Sequence, residues 1–76
     1  MQSHLDQQRF VVVYGEEADA VAEDDPTVVI LDRADRVVLV EATHQSAAQM
    51  RRRPDLCVRA YERENDARRV FDLFWH

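Results

Sequence analysis

Three short runs in this chain are apolar without alternating with polar residues. They cover residues 10–14, 28–31 and 37–40. Neighbouring residues on a β-strand point to opposite faces of its sheet, so strands formed by these runs would be apolar on both faces. The pattern therefore predicts a sheet that needs a cover on each of its two faces.

Four segments have the composition and length of strands: residues 9–14, 27–32, 36–41 and 56–62. The first would end at Gly15, the single glycine of the chain, because glycine tolerates the positive φ of a sharp exit. The link over residues 32–35 is short enough for a hairpin. In the fourth strand, alternation places Cys57, Arg59 and Tyr61 together on one face.

Two helices are predicted between these strands. The acid-rich residues 16–25 favour a helix of at most two turns, which Pro26 would close. Thr43 is a suitable N-cap for a second helix over residues 44–53, which would end before Pro54.

The C-terminal segment fits either a helix or a strand. A helix over residues 66–75, capped by Asn65, would gather apolar side chains on one stripe, which comprises Ala67, Val70, Phe71 and Phe74. A strand would divide them between two faces, and the helical pattern fits better. The last six residues hold three of the six aromatic side chains, so this tail should pack against apolar surface.

The order of elements is typical of one fold class. The link between the third and fourth strands contains a helix and is long enough for a right-handed parallel crossover. We therefore expect an α+β chain of the ferredoxin-like, split β-α-β type, with a four-stranded antiparallel sheet, helices on one face and an aromatic C-terminal tail. Residues 1–76 should form a single small domain, in which the polar residues 1–8 are flexible.

Helices of the predicted lengths can cover one face of such a sheet at most. The other face can be covered in two ways: the aromatic tail folds over it, or another chain packs on it. In the second case the chain binds a partner through its apolar sheet face and its tail. The expected partner-binding residues are Tyr14, Arg59, Tyr61, Glu62, Phe71, Phe74 and Trp75.

Composition and charge narrow the classes of function. The chain is 46% apolar and 33% charged, with a net charge of −5, which is typical of a globular domain and disfavours nucleic acid as a partner. The sequence has no signal-peptide pattern and no run long enough to span a membrane. A single cysteine requires no oxidising compartment. We therefore expect a cytoplasmic protein with no membrane partner.

No motif in the sequence indicates catalysis or the binding of a metal or cofactor. His44 and Cys57 are the one pair that resembles a thiol–imidazole dyad, but no neighbour in the sequence would orient the imidazole. The three histidines and one cysteine do not have the spacing of metal ligands. We therefore expect a protein that is not an enzyme and that holds no cofactor and no metal.

Residues 38–62 resemble the second half of the subtilisin propeptides and their stand-alone inhibitor relatives. The shared pattern is a strand that leads to a threonine, here Thr43, then a helix with basic residues, here 51–53, then a break and a strand that ends in acids. Residues 9–14 are similar to the opening strand of that family. The resemblance implies a ferredoxin-like fold whose open sheet face packs on a serine protease, with residues 62–66 near the substrate cleft.

Two functions from different classes follow as hypotheses. The first is a non-enzymatic module that binds another protein, and a propeptide-like protease inhibitor is its named version. The alternative is a self-associating regulatory or structural subunit, in which the sheet face closes a homodimer. A domain that binds a small ligand ranks third, because no cluster of polar residues converges in the sequence.

Overall fold

The computed structural model describes residues 8–75, except for the side chain of Trp75. Its elements are β1 (Gln8–Tyr14), α1 (Ala20–Asp24), β2 (Val29–Ala34), β3 (Val37–Thr43), α2 (His44–Met50), β4 (Cys57–Tyr61) and α3 (Glu64–Trp75). The four strands form one sheet in the order β2-β3-β1-β4, and each neighbouring pair is antiparallel. The prediction of an α+β chain with a four-stranded antiparallel sheet and helices is confirmed.

The centre of the sheet is dry on both faces. Residues 37–40 of β3 are each 0% exposed, and residues 11–13 of β1 are at most 1% exposed. Successive residues of a strand point to opposite faces, so burial of three or four in a row requires a cover on each side. Two of the three runs that are apolar without alternation thus form the central strands β1 and β3, and the third lies at the start of the edge strand β2.

The first cover consists of α1 and α2. Val21 of α1 and Ala47 and Met50 of α2 belong to one buried cluster with alternate residues of the central strands, which are Val11, Val13, Val38, Val40 and Ala42. Both helices are short, and α1 is a single turn that follows a series of turns over residues 16–19. This agrees with the short first helix that the acidic segment predicts.

Hydrogen bonds fix the start of α2 and join it to the loop after α1. The Thr43 hydroxyl accepts a hydrogen bond from the Ser46 backbone N–H at 3.0 Å, so the predicted N-cap is confirmed. The Asp25 carboxylate accepts one hydrogen bond from the Ser46 hydroxyl and one from the Thr27 hydroxyl, each at 2.6 Å. These two donors hold the pKa of Asp25 below its ordinary value of 3.8, because they stabilise the ionised carboxylate.

The second cover is α3, which packs on the opposite face of the sheet. Ala67 is 0% and Phe71 is 2% exposed, and both belong to a second buried cluster with Val12, Val37 and Leu39. The C-terminal tail therefore forms a helix. The sequence left open whether this tail or another chain covers the second face of the sheet, and in the structure the tail covers it. The expectation that helices lie on one face only is wrong, and so is the expectation of an apolar sheet face open to a partner.

The turns and element ends depart from the predicted positions by a few residues. Gly15 takes the predicted positive φ, at 152°. The hairpin between β2 and β3 turns at Asp35 and Arg36 rather than at residues 32–35, and Arg36 has a φ of 65°. Gln8 already belongs to β1, so the flexible segment predicted over residues 1–8 is too long by that residue. Its other residues, 1–7, lie outside the described part of the chain.

Candidate functional site

β4 is one of the two edge strands of the sheet, and α3 covers it incompletely. β4 pairs with β1 without a register shift, with Phe10 opposite Tyr61 and Val12 opposite Arg59. Among residues 8–75, no strand pairs with its outer side. Cys57 and Arg59 are exposed on the face that carries α3, and Tyr61 is half-buried there.

The other edge strand, β2, is protected against further pairing. Its register with β3 is irregular between Ile30 and Asp32. Asp32 lies 3.6 Å from a guanidinium nitrogen of Arg68 on α3, and Arg33 lies 3.7 Å from Asp19. Irregular register and charged side chains both hinder the addition of another strand. The edge that is regular and open is therefore that of β4.

A groove runs between β4 and α3 on this face of the sheet, and we call it the α3–β4 groove. It encloses about 310 Å³ and is lined by Arg59, Tyr61, Val70, Leu73 and Phe74. Leu73 is the most exposed of the large apolar side chains in the described residues, at 78%. Leu73 and Val70 of α3 thus form a small apolar surface with the half-buried rings of Tyr61 and Phe74.

A pair of stacked rings continues this apolar surface towards the end of β1. The ring centroids of Tyr14 and Phe74 lie 4.9 Å apart with an angle of 23° between the planes. Tyr14 is 36% exposed. Stacked aromatic rings are rigid and amphipathic, which suits a contact surface because little conformational entropy is lost when it is covered.

A second groove flanks β4 on the opposite face of the sheet, and we call it the α2–β4 groove. It encloses about 160 Å³, and its lining residues are Arg9, His44, Ala47, Ala48, Arg51, Ala60, Tyr61 and Glu62. The formal charge of this lining is positive, with two arginines against one glutamate, although the chain as a whole carries a net charge of −5. Tyr61 borders both grooves, so they lie on either side of the same end of β4.

The backbone of β4 also presents polar groups along this edge. The Gly15 N–H donates to the Arg36 carbonyl at 2.8 Å, which fixes the alternation of hydrogen bonds along β1. By that alternation the residues of β1 that bond to β4 are Phe10, Val12 and Tyr14. Their partners in the register are Tyr61, Arg59 and Cys57. The N–H and C=O groups of Val58 and Ala60 therefore point away from β1, along the open edge.

The structure brings together four of the seven residues predicted to bind a partner. Arg59, Tyr61 and Phe74 line the α3–β4 groove, and Tyr14 stacks on Phe74. Glu62 lies in the α2–β4 groove instead.

Two of the predicted partner-binding residues have other outcomes. Phe71 is a core residue, 2% exposed, so its prediction as a contact residue is wrong: it faces the sheet that the partner was expected to cover. The side chain of Trp75 lies outside the described part of the structure.

The predicted set of partner-binding residues omits several residues that line the two grooves, among them Leu73, Arg51 and His44. Leu73 follows Val70 by three positions and so lies beside it on a helix, but it falls outside the stripe that packs on the sheet. Its role could have been inferred only if the tail had been placed against the fourth strand. Arg51 and His44 line the α2–β4 groove because α2 lies close to β4, and no local pattern in the sequence encodes that proximity.

Among residues 8–75, no group of three or more His, Cys, Asp or Glu residues is placed to hold a metal ion. Cys57 is an exposed free thiol. The carboxylates with shifted pKa values lie outside both grooves: that of Asp55 is lowered because Arg53 donates to it at 2.9 Å.

Comparison with known proteins adds no relatives. No protein-family model, no curated protein and no solved structure matches the chain. The resemblance to subtilisin propeptides therefore stays a prediction from the sequence. None of the helices in the described residues has both the length and the apolar character needed to cross a bilayer.

Proposed function

We propose that this chain is a non-enzymatic protein-interaction module of the ferredoxin-like, split β-α-β class, which binds its partner at the edge formed by β4 and α3. The strand order and the antiparallel directions support that class, because they place β3 and β4 parallel on either side of β1. The module is expected to act in the cytoplasm, without a cofactor.

One observation carries the proposal: the α3–β4 groove. It places Leu73, which is 78% exposed, beside Tyr61 and Phe74 in a depression of about 310 Å³. A small domain that covers both faces of its own sheet has no structural need for an exposed leucine there. Burial of this leucine by a partner would contribute about 2 kcal/mol, and the two aromatic rings, which are already half-buried, would each contribute less.

The proposed binding surface differs from the one that the sequence suggested. An apolar sheet face is no longer available, because α3 covers it with Ala67 and Phe71. A propeptide-like complex through that face would require α3 to leave the sheet. Inhibition of a subtilisin-type protease by the intact chain at micromolar concentration would support that version, and unchanged protease activity would refute it.

The proposal is tested by selection of a displayed library of random peptides on the immobilised protein. Peptides that bind the wild-type chain should lose at least tenfold in affinity for Leu73→Glu. The matched control is Val29→Glu, because Val29 is 52% exposed on the opposite edge strand, and it should bind as the wild type does. If no peptide is enriched, or if Leu73→Glu binds equally well, the groove is not an interaction site.

Self-association is distinguished by light scattering on the same variants. The chain has a mass of 8.9 kDa. If the measured mass rises towards twice this value as the protein concentration increases, and if Leu73→Glu restores the mass of the monomer, the homodimer is supported instead of a different partner. A monomer at every concentration supports the partner of a different sequence.

A further inference from the structure

We infer that the partner segment is an extended peptide that adds to β4 as a fifth strand and alternates apolar with acidic residues. This inference rests on the proposed function, and it names how the partner binds and what its side chains are. It is carried by three features that meet at one edge: outward-pointing backbone groups, an apolar groove on one face, and a cationic groove on the other.

The backbone requires an extended partner. Val58 and Ala60 present their N–H and C=O groups to the outside of the sheet, and a peptide in the extended conformation can pair with both residues. The β4 edge has no register irregularity and no proline between residues 57 and 61. It therefore lacks the register irregularity that hinders strand addition at β2, and the one charged side chain that it carries is that of Arg59.

The two faces of the sheet then assign the side chains of the added strand. Residues of an added strand alternate between the faces, as do those of β4. A residue opposite Arg59 or Tyr61 would point into the α3–β4 groove, where Leu73 and Phe74 favour an apolar or aromatic side chain. A cross-strand contact of an aromatic ring with the Arg59 guanidinium would add a cation–π interaction.

Residues of the added strand opposite Val58 and Ala60 would point to the face that carries α2. The α2–β4 groove on that face contains Arg51 and His44. Arg51 is exposed and makes no side-chain hydrogen bond or ion pair to another described residue. The small side chain of Ala60 leaves the groove accessible from the strand edge. A glutamate at this position can reach a guanidinium for a charge-assisted hydrogen bond.

Charge complementarity favours such a peptide over a second copy of the chain. A second β4, added antiparallel with Val58 opposite Ala60, would set Arg59 directly opposite the Arg59 of the other copy, and like charges in that position are destabilising. It would also present valine and alanine, rather than acids, to the cationic groove. An acidic and apolar segment satisfies both grooves at once.

The test uses the intact chain and a fluorescein-labelled heptapeptide of sequence SELEFES with a blocked C-terminus. Binding is followed by fluorescence anisotropy, with two control peptides: SQLQFQS, which replaces the acids by amides, and SEEELFS, which keeps the composition but loses the alternation. Both controls should bind at least tenfold more weakly. Because the protein is acidic overall, a response to net charge alone would instead make SQLQFQS the tightest of the three.

A matched pair of variants tests the cationic groove. Arg51→Glu should weaken SELEFES binding at least tenfold, whereas Arg52→Glu should change it less than twofold. The two substitutions alter net charge equally at neighbouring exposed positions, but only Arg51 lines the groove. Equal effects of the two would overturn the assignment of the acidic positions.

Amide hydrogen exchange tests the strand addition itself. Saturating peptide should slow exchange at Val58 and Ala60 by at least tenfold. Binding without this protection, or no SELEFES binding up to millimolar concentration, would overturn this inference. Random-library peptides that depend on Leu73 would in that case still support the proposed function. Protection of both amides in the free protein, together with a dimeric mass, would assign the edge to a second copy.

Discussion

The docking of α3 on the sheet makes a measurable prediction at Phe71. The side chain is 2% exposed and lies in the cluster formed with Val12, Val37 and Leu39 of the two central strands. Phe71→Ala would leave a cavity beneath α3 and remove the largest apolar group that this helix buries. We expect this single truncation to destabilise the whole domain, because no other element among residues 8–75 covers that face.

The magnitude follows from the burial. Truncation of a fully buried phenylalanine costs about 3–5 kcal/mol, and alanine recovers roughly 0.5 kcal/mol through its higher helix propensity. The net loss should therefore be about 3–4 kcal/mol. A chain of 76 residues has a total free energy of unfolding of roughly 4–11 kcal/mol. The variant should then lose at least a quarter of its stability. At the lower bound of the range at most about 1 kcal/mol would remain, so that roughly 15–50% of the molecules would be unfolded.

Urea unfolding followed by far-ultraviolet circular dichroism measures this loss. With a slope of about 1 kcal/mol per molar urea for a domain of this size, the midpoint should fall by roughly 3 M. Leu73→Ala is the matched control, because Leu73 lies two residues further along α3 and is 78% exposed. Its loss should stay within about 0.5 kcal/mol. Similar small losses for both variants would show that α3 does not seal the sheet.

Three further predictions concern turns and the loop after α1. Gly15→Ala should lower the free energy of unfolding by about 2 kcal/mol. The reason is that φ is 152° at Gly15 and that a Cβ there would lie 2.7 Å from a methyl carbon of Leu56. An unchanged thermal midpoint would contradict this prediction. Arg36→Gly should raise the free energy of unfolding by about 0.5 kcal/mol, because the φ of 65° at Arg36 is unfavourable for a residue with a side chain. A urea midpoint below that of the wild type would refute this prediction. Ser46→Ala should cost about 1 kcal/mol at neutral pH, since Ser46 donates to Asp25 at 2.6 Å. The pKa of Asp25 is lowered in the folded state, so its ionised carboxylate stabilises the fold above the ordinary pKa of 3.8, and this stabilisation is lost as the pH falls through the lowered pKa. As the pH is lowered from about 5 to 2, the urea midpoint should therefore fall less steeply for Ser46→Ala than for the wild type.

Much of the fold could be predicted because local pattern and burial agree along most of the chain. The run over residues 37–40 has no polar interruption, which places it at the centre of a sheet, and the structure buries all four residues. Thr43 is an N-cap in the sequence and in the structure. The stripe of Ala67, Val70, Phe71 and Phe74 has a period that only a helix brings to one side.

The candidate site was less predictable because it depends on which elements become neighbours. The sequence sets Arg59 and Tyr61 on one face of the fourth strand, but it does not say that α3 lies along that strand. The prediction of an open sheet face failed for a related reason: the tail is long enough to cover the central strands, and Phe71 is large enough to fill the space. The cationic groove was missed because Arg51 resembles any basic residue at the end of a helix.

The position of α3 ties stability to binding. The same helix fixes Phe71 in the core and holds Leu73 at the edge of β4, so the α3–β4 groove exists only while α3 is docked. A partner that binds the groove must therefore stabilise the docked helix, and the gain in unfolding free energy equals the binding free energy realised at that concentration. Ala67→Gly would loosen α3 without touching the groove. The apparent Kd for the partner should then equal the intrinsic Kd divided by the fraction of molecules in which α3 is docked. If the groove were formed by rigid elements independent of α3, affinity and stability would not change together. Comparing the partner's affinity with the free energy of unfolding across α3 variants therefore tests whether α3 forms the site.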